Sequence, residues 1–202
     1  MGRDKAANTD QWARRLLLAL PFCLLVACSH GPATRSPLET AEAFVDAFYA
    51  WDAAALTGLM AAGEDRERVL YYQGWAEAAH YQVQVRRPCE LIDGGANGGS
   101  ANSVGVARCA ITVTDDFGQA LGYTATDTFS LTVSDGIITA ATFAGDDPPV
   151  FEAVFAWLAE TRPEVFAGPC RAMFEGGDWP GDCARAIAEG ARAFAELEPE
   201  RR

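Results

Sequence analysis

The sequence predicts an α+β protein: N-terminal helices packed in a curved antiparallel sheet, with a helical segment appended at the C-terminus. Three observations predict it. Apolar residues recur at helical spacing from Leu38 to Leu59. From Tyr81 to Phe143 the pattern changes to period-two alternation cut by turn residues. After Asp147 helical spacing returns. Helices followed by hairpin-linked strands give this order, not the regular strand–helix alternation of a parallel sheet. The chain has 202 residues, 50% hydrophobic and 10% aromatic, which suits one packed domain plus an extra segment and argues against general disorder.

The extra segment stands first. Arg3, Lys5, Arg14 and Arg15 precede an apolar run from Leu16 to Ala27, which is too short to span a bilayer and reads as a secretory signal over residues 1–27. Its ending, Leu25-Val26-Ala27-Cys28, resembles a bacterial lipobox. The resemblance implies that Cys28 receives a diacylglycerol and becomes the mature N-terminus. Ordinary cleavage near Ala27, leaving a secreted protein, is the alternative. Residues 28–36 then form a short polar tether. Removing residues 1–27 leaves 12 basic against 26 acidic residues, a net charge of −14, and no lysine. Anionic lipid headgroups repel such a surface, so membrane contact is expected through the lipid anchor alone, on the extracytoplasmic face of the cell membrane. The whole chain carries a net charge of −12, which excludes the clustered positive charge of a nucleic-acid binder.

The elements follow in order. Ser36-Pro37-Leu38-Glu39 is a capping box with proline at the first helical position, so a helix begins there. Its apolar spacing predicts one long helix to about Met60. Gly63-Glu64-Asp65 breaks it, and a second helix is expected over 66–80. Strands are expected at 81–85, 89–92, 104–114, 121–133 and 137–143. Asp116-Phe117-Gly118 and Ser134-Asp135-Gly136 supply turns, and the glycine-rich run 94–100 forms a hairpin tip. Beyond a domain at 37–146, residues 147–202 form a helical cap. One helix starts at Asp147-Pro148-Pro149 and ends near Pro163, and a last one covers 183–197.

Four cysteines remain after Cys28: Cys89, Cys109, Cys170 and Cys183. An even number outside the cytoplasm permits two disulfides. Spacing favours Cys89–Cys109, which brackets the hairpin tip, and Cys170–Cys183. A metal site is disfavoured, because the chain has no CxxC and only two histidines.

A long N-terminal helix, a second helix and a bent antiparallel sheet over residues 36–145 resemble the nuclear transport factor 2-like cone fold, also called SnoaL-like. The resemblance rests on element order, without a signature motif. It implies a pocket inside the cone. The superfamily includes isomerases, epoxide hydrolases and cyclases beside many non-catalytic binding domains, so it does not imply a reaction.

Asp127 is the anomaly. Period two places it among Ala125, Phe129, Leu131 and Val133 on the apolar face of its strand, where a bare carboxylate costs several kcal/mol. It is expected to pair with Arg108 of the neighbouring strand, to touch a ligand, or to transfer protons, as acids lining the cone do in the resembling enzymes. Tyr123 shares its face. Tyr49 and Trp51 on the first helix, and Tyr71, Tyr72 and Trp75 on the second, are either core or further pocket lining. His80 has no partner motif. Arg86-Arg87 either hold an anion or balance local carboxylates. GxSxG, Walker and GxGxxG motifs are absent, and no cofactor is implied. The expected function is therefore non-catalytic: binding of a small apolar ligand or an envelope protein, oriented by groups such as Asp127 and Arg108. The alternative is proton-transfer catalysis on a hydrophobic substrate through Asp127, with a tyrosine as oxyanion donor.

Overall fold

The structure is a computed structural model and describes residues 35–94 and 104–197. The expected signal segment, Cys28, most of the expected tether and nearly all of the glycine-rich run 94–100 lie outside these residues.

The capping box forms as the sequence requires. The Ser36 Oγ accepts from the Glu39 N–H at 3.3 Å while the Glu39 carboxylate accepts from the Ser36 N–H at 2.8 Å. Helix α1 (Pro37–Tyr49) starts there but does not run to Met60. Trp51 takes a left-handed φ of 60°, and Asp52 caps a separate helix α2 (Ala53–Leu59) by accepting from the Ala55 N–H at 2.8 Å. Apolar periodicity continues through this corner, so the spacing alone does not reveal it; a local side-chain cap outcompetes the helix. Helix α3 (Glu64–Ala78) follows. Its buried Gln73 donates to the carbonyls of Ala47 and Phe48 at 3.0 and 3.2 Å, adding to the backbone bonds they accept from Asp52 and Trp51 and tying α3 to the end of α1.

Five strands form one open antiparallel sheet: β1 (Gln82–Arg86), β2 (Glu90–Gly94), β3 (Gly105–Thr114), β4 (Ala125–Ser134) and β5 (Ile137–Gly145). β1 and β2 share one edge of β3, while β4 and then β5 extend the other side. Bulges interrupt the register in β1, in β2 and between Thr132 and Val133, each adding local bend and twist. Asp135 and Gly136 turn β4 into β5 with φ of 52° and 75°, the two positive values that a type I′ hairpin needs. Cys89 and Cys109 are bonded and lie 4.3 Å apart at Cα, the spacing of directly opposed residues on antiparallel strands. On the inner face Phe44 and Phe48 of α1 meet Phe129 edge-on at 5.2 and 5.0 Å, and Ile111, Leu131 and Val133 are fully buried with them. Each such side chain contributes about 1.5–3 kcal/mol. Arg86 on β1 is bonded to Asp46 and, at 2.8 Å, to Glu42, so it balances carboxylates of α1.

The segment expected as a turn at 116–118 is a helix, α4 (Asp116–Leu121), and β4 therefore starts at Ala125 instead of Leu121. Asp115 caps α4 by accepting from the Gly118 N–H at 2.6 Å, and Gly122 closes it with a left-handed φ of 78°. The tail holds α5 (Pro149–Thr161), α6 (Glu164–Ala167), a 3-10 turn at Met173–Glu175 and α7 (Pro180–Leu197). Cys170 is bonded to Cys183. Val154, Leu158, Met173 and Ile187 pack with Tyr71 of α3 and Phe117 of α4, so the tail rests on these two helices. Among the described residues no helix is long and apolar enough to cross a membrane.

Where α7 meets α5, Gly190 lies so close to the buried Leu158 that an added Cβ would come within 2.5 Å of its Cδ2. Helix propensity alone favours alanine there by about 1 kcal/mol. Overpacking a closed interface costs about 1–3 kcal/mol. Gly190→Ala should therefore lower stability by about 1 kcal/mol in urea denaturation; a gain would show that α5 and α7 are not in contact.

Candidate functional site

The inner end of β4, the start of α4, helix α3 and the tail helix α5 surround a cavity of about 280 Å3. The β4 alternation puts Ala125 and Asp127 on its wall, and α3 contributes Tyr71, Tyr72 and Trp75. Phe117 of α4, Phe151 and Phe155 of α5 and Met173 close it from the tail side. Tyr72 lies against Phe143 of β5 at 5.2 Å between ring centroids.

Asp127 is 3% exposed, set between Ile111 of β3 and Gly145 of β5. The Tyr49 hydroxyl donates to its Oδ2 at 2.7 Å. Burial pushes the Asp127 carboxyl up to about 7, against the opposing pull of that hydrogen bond, and Asp147, Asp115 and Asp146 add repulsion. Asp115 is raised to about 6, mainly by burial, even though the N-terminal amides of α4 donate to it. Asp147 is raised by burial and by Asp146. Asp146 itself accepts from the Thr126 N–H, which fixes the chain after β5 and leaves Asp147 on the cavity wall. Burial also raises the tyrosines: Tyr71 to about 12, and Tyr49, Tyr81 and Tyr123 well above their usual value. All remain neutral hydroxyls at physiological pH.

Among the described residues, two buried polar groups of α3 have no hydrogen-bond partner. The Tyr71 hydroxyl and the Trp75 Nε1–H are buried without a hydrogen bond, one helical turn apart on α3. Native interiors leave few such groups, and each costs about 1–3 kcal/mol.

The expected site residues are distributed unevenly. Asp127, Tyr123 and Trp75 line the cavity, and Tyr49 stands behind Asp127 as its hydrogen-bond donor. Arg108 is a correction. It pairs across the strands with Ser130 on the outer face, lies 3.5 Å from Glu90 and keeps about half of its side chain exposed. Residues 108 and 127 differ in parity across the β3–β4 register, which matches Asp127 with Ile111, so Arg108 cannot reach it. Tyr123 precedes β4, so its place in the wall comes from α4 and not from strand alternation. His80 is exposed and its Nδ1 lies 2.9 Å from Asp116 Oδ2. Sequence reasoning missed Asp115 and Asp147. The Asp115-x-x-Gly118 cap was the signal available for the first, hidden by reading 116–118 as a turn. Among the described residues no three His, Cys, Asp or Glu side chains converge as metal ligands.

Compared with protein-family models, with curated proteins and with solved structures, the chain gives no match in any of the three.

A carboxyl raised by folding binds its proton more tightly in the folded than in the unfolded chain. Between about pH 4 and 7 the folded protein keeps the Asp127 proton that the unfolded chain has released. Stability therefore falls as pH rises through this window, by about 1.4 kcal/mol per pH unit for each such group. Asp127→Asn should then equal the parent at pH 4.5 and exceed it at pH 8 in urea midpoint. A parent protein at least as stable as the variant at pH 8 would contradict the assignment.

Proposed function

We propose that the chain is a lipid-anchored extracytoplasmic protein of the nuclear transport factor 2-like type, whose cavity binds a small, largely apolar ligand without transforming it. The observation that carries the binding reading is the cavity itself, about 280 Å3, with ten aromatic side chains among its described lining residues and the Asp127 carboxyl in its wall. An occupant lays its apolar body against the ring faces and is oriented by the polar groups of the wall. The family reading is supported by element order, helices followed by a bulged antiparallel sheet, and the address by the sequence of residues 1–28.

A second reading is favoured by one feature. Asp127, raised to about 7 and bonded to Tyr49, has the poise of a general acid or base beside an apolar cavity. Asp127→Asn separates the two: a proton-transfer enzyme loses turnover by about 100-fold or more, whereas a binder of neutral molecules keeps its occupant.

Native mass spectrometry of the chain purified from a bacterial envelope tests the leading reading. A small molecule should travel with the protein and leave on replacement of Trp75 by a bulkless Ala. Bare protein from every preparation would contradict a high-affinity cavity. The anchor is tested separately: Cys28→Ser should shift the chain from the membrane to the soluble fraction and remove the diacylglycerol mass.

A further inference from the structure

The cavity wall has a charge character that apolar binding does not use. Three carboxylates, Asp115, Asp127 and Asp147, border it, and none of the described residues lining it is Arg, Lys or His. Arg68, which acts on Tyr72, is paired with Asp65. Ten of the 21 lining residues are aromatic, so the same wall presents ring faces with negative quadrupoles. The carboxylates ring the cavity without converging, so no metal ion is held by three of them among the described residues. The Asp127 side chain is 3% exposed and lines the cavity, with its Oδ2 accepting from the Tyr49 hydroxyl.

We propose that the cavity recognises an organic cation: a small protonated amine carried on an apolar body. This rests on the ligand-binding reading above and names the chemistry of the ligand. The ammonium group supplies the counter-charge that the wall lacks, lies against ring faces as cations do in aromatic cages, and donates to Asp127. The apolar body lies against the phenylalanines of α4 and α5. The cavity, about 280 Å3, is at the small end of ligand pockets, which limits that body to roughly one ring. The net charge of −12 steers cations toward the protein.

Binding of a cation favours ionised carboxylates. Asp127 is faced by Tyr49 from α1, by Tyr81 after α3, by Asp115 at the start of α4 and by Asp146 and Asp147 after β5; Asp115 is faced by Asp116 and Asp147 as well. All of these are acidic or neutral, so among the described residues no neighbouring cation lowers the two carboxyls. An amine must displace their protons at low pH, and affinity falls as pH drops from 8 to 5, by up to about tenfold per pH unit for each proton displaced.

The experiment uses the full chain in a nonionic detergent and three probes with one body: 2-phenylethylamine, its uncharged counterpart 2-phenylethanol and the anion phenylacetate. Binding is followed by tryptophan fluorescence and by calorimetry at pH 8 and pH 5. The amine should bind at least about tenfold tighter than the alcohol at pH 8, lose that advantage at pH 5, and lose it in Asp127→Asn; phenylacetate should be weakest. If Asp127→Asn does not fold, Asp115→Asn and the pH series on the parent chain give the same reading. An alcohol that binds as well as the amine, with no pH dependence, overturns the cation proposal and leaves the apolar cavity standing. Failure of all three probes at millimolar concentration overturns both.

Discussion

A single hydrogen bond governs the architecture around the cavity: Tyr49 hydroxyl to Asp127 carboxyl, at 2.7 Å, between the end of α1 and the middle of the sheet. A carboxyl on the apolar face of β4 is costly, and the structure meets that cost only in part. It supplies one donor, and the charged groups that act on it among the described residues are further acids. Removing Tyr49 would leave a buried acceptor without its partner, a larger loss than the bond itself contributes. The group is consequently held near the point where it exchanges a proton at neutral pH.

The rest of the fold can be followed outward from that contact. Tyr49 is the last residue of α1, so its direction depends on where α1 stops. Trp51 and Asp52 stop it, and Gln73 of α3 takes up the carbonyls of Ala47 and Phe48. On the other side, Asp146 accepts from the Thr126 N–H next to Asp127, which carries the chain from β5 toward α5 and brings Asp147 to the wall. Helix α4, capped by Asp115, sets Phe117 between the sheet domain and the tail helices. The cavity is what remains where α1, α3 and the sheet cannot close without the tail. The tail packs on α3 and α4 through α7, and Phe151 and Phe155 of α5 complete the wall.

Much of this was legible in the sequence, for reasons that differ by element. Strand alternation is strict over Ala125–Val133, so the buried position of Asp127 could be read directly. The Ser36–Glu39 box and the Asp135-Gly136 turn are local chemistry and needed no tertiary information. Both cysteine pairings followed from spacing. The partner of Asp127 did not. Its choice between Arg108 and Tyr49 depends on strand register and on a helix end 78 residues away, neither of which spacing encodes. The corner at Trp51 and the helix at 116–121 were missed because apolar periodicity runs through the first, and because Asp-x-x-Gly serves turns and helix caps alike. Asp147 borders the cavity through a tertiary turn of the chain, and its own neighbourhood, Asp146-Asp147-Pro148, reads as an ordinary helix start.

Asp127 sits on the wall of an aromatic cavity with Tyr49 as its donor and, among the described lining residues, no cation. Its own titration tests this most directly, by the 13Cγ shift of aspartate followed from pH 3 to pH 9, with Asp127→Asn assigning the signal. A midpoint near 7 is expected. A midpoint near 4 would mean that water or a cation reaches the carboxylate, and would contradict both the burial of Asp127 and the reading of the cavity built on it.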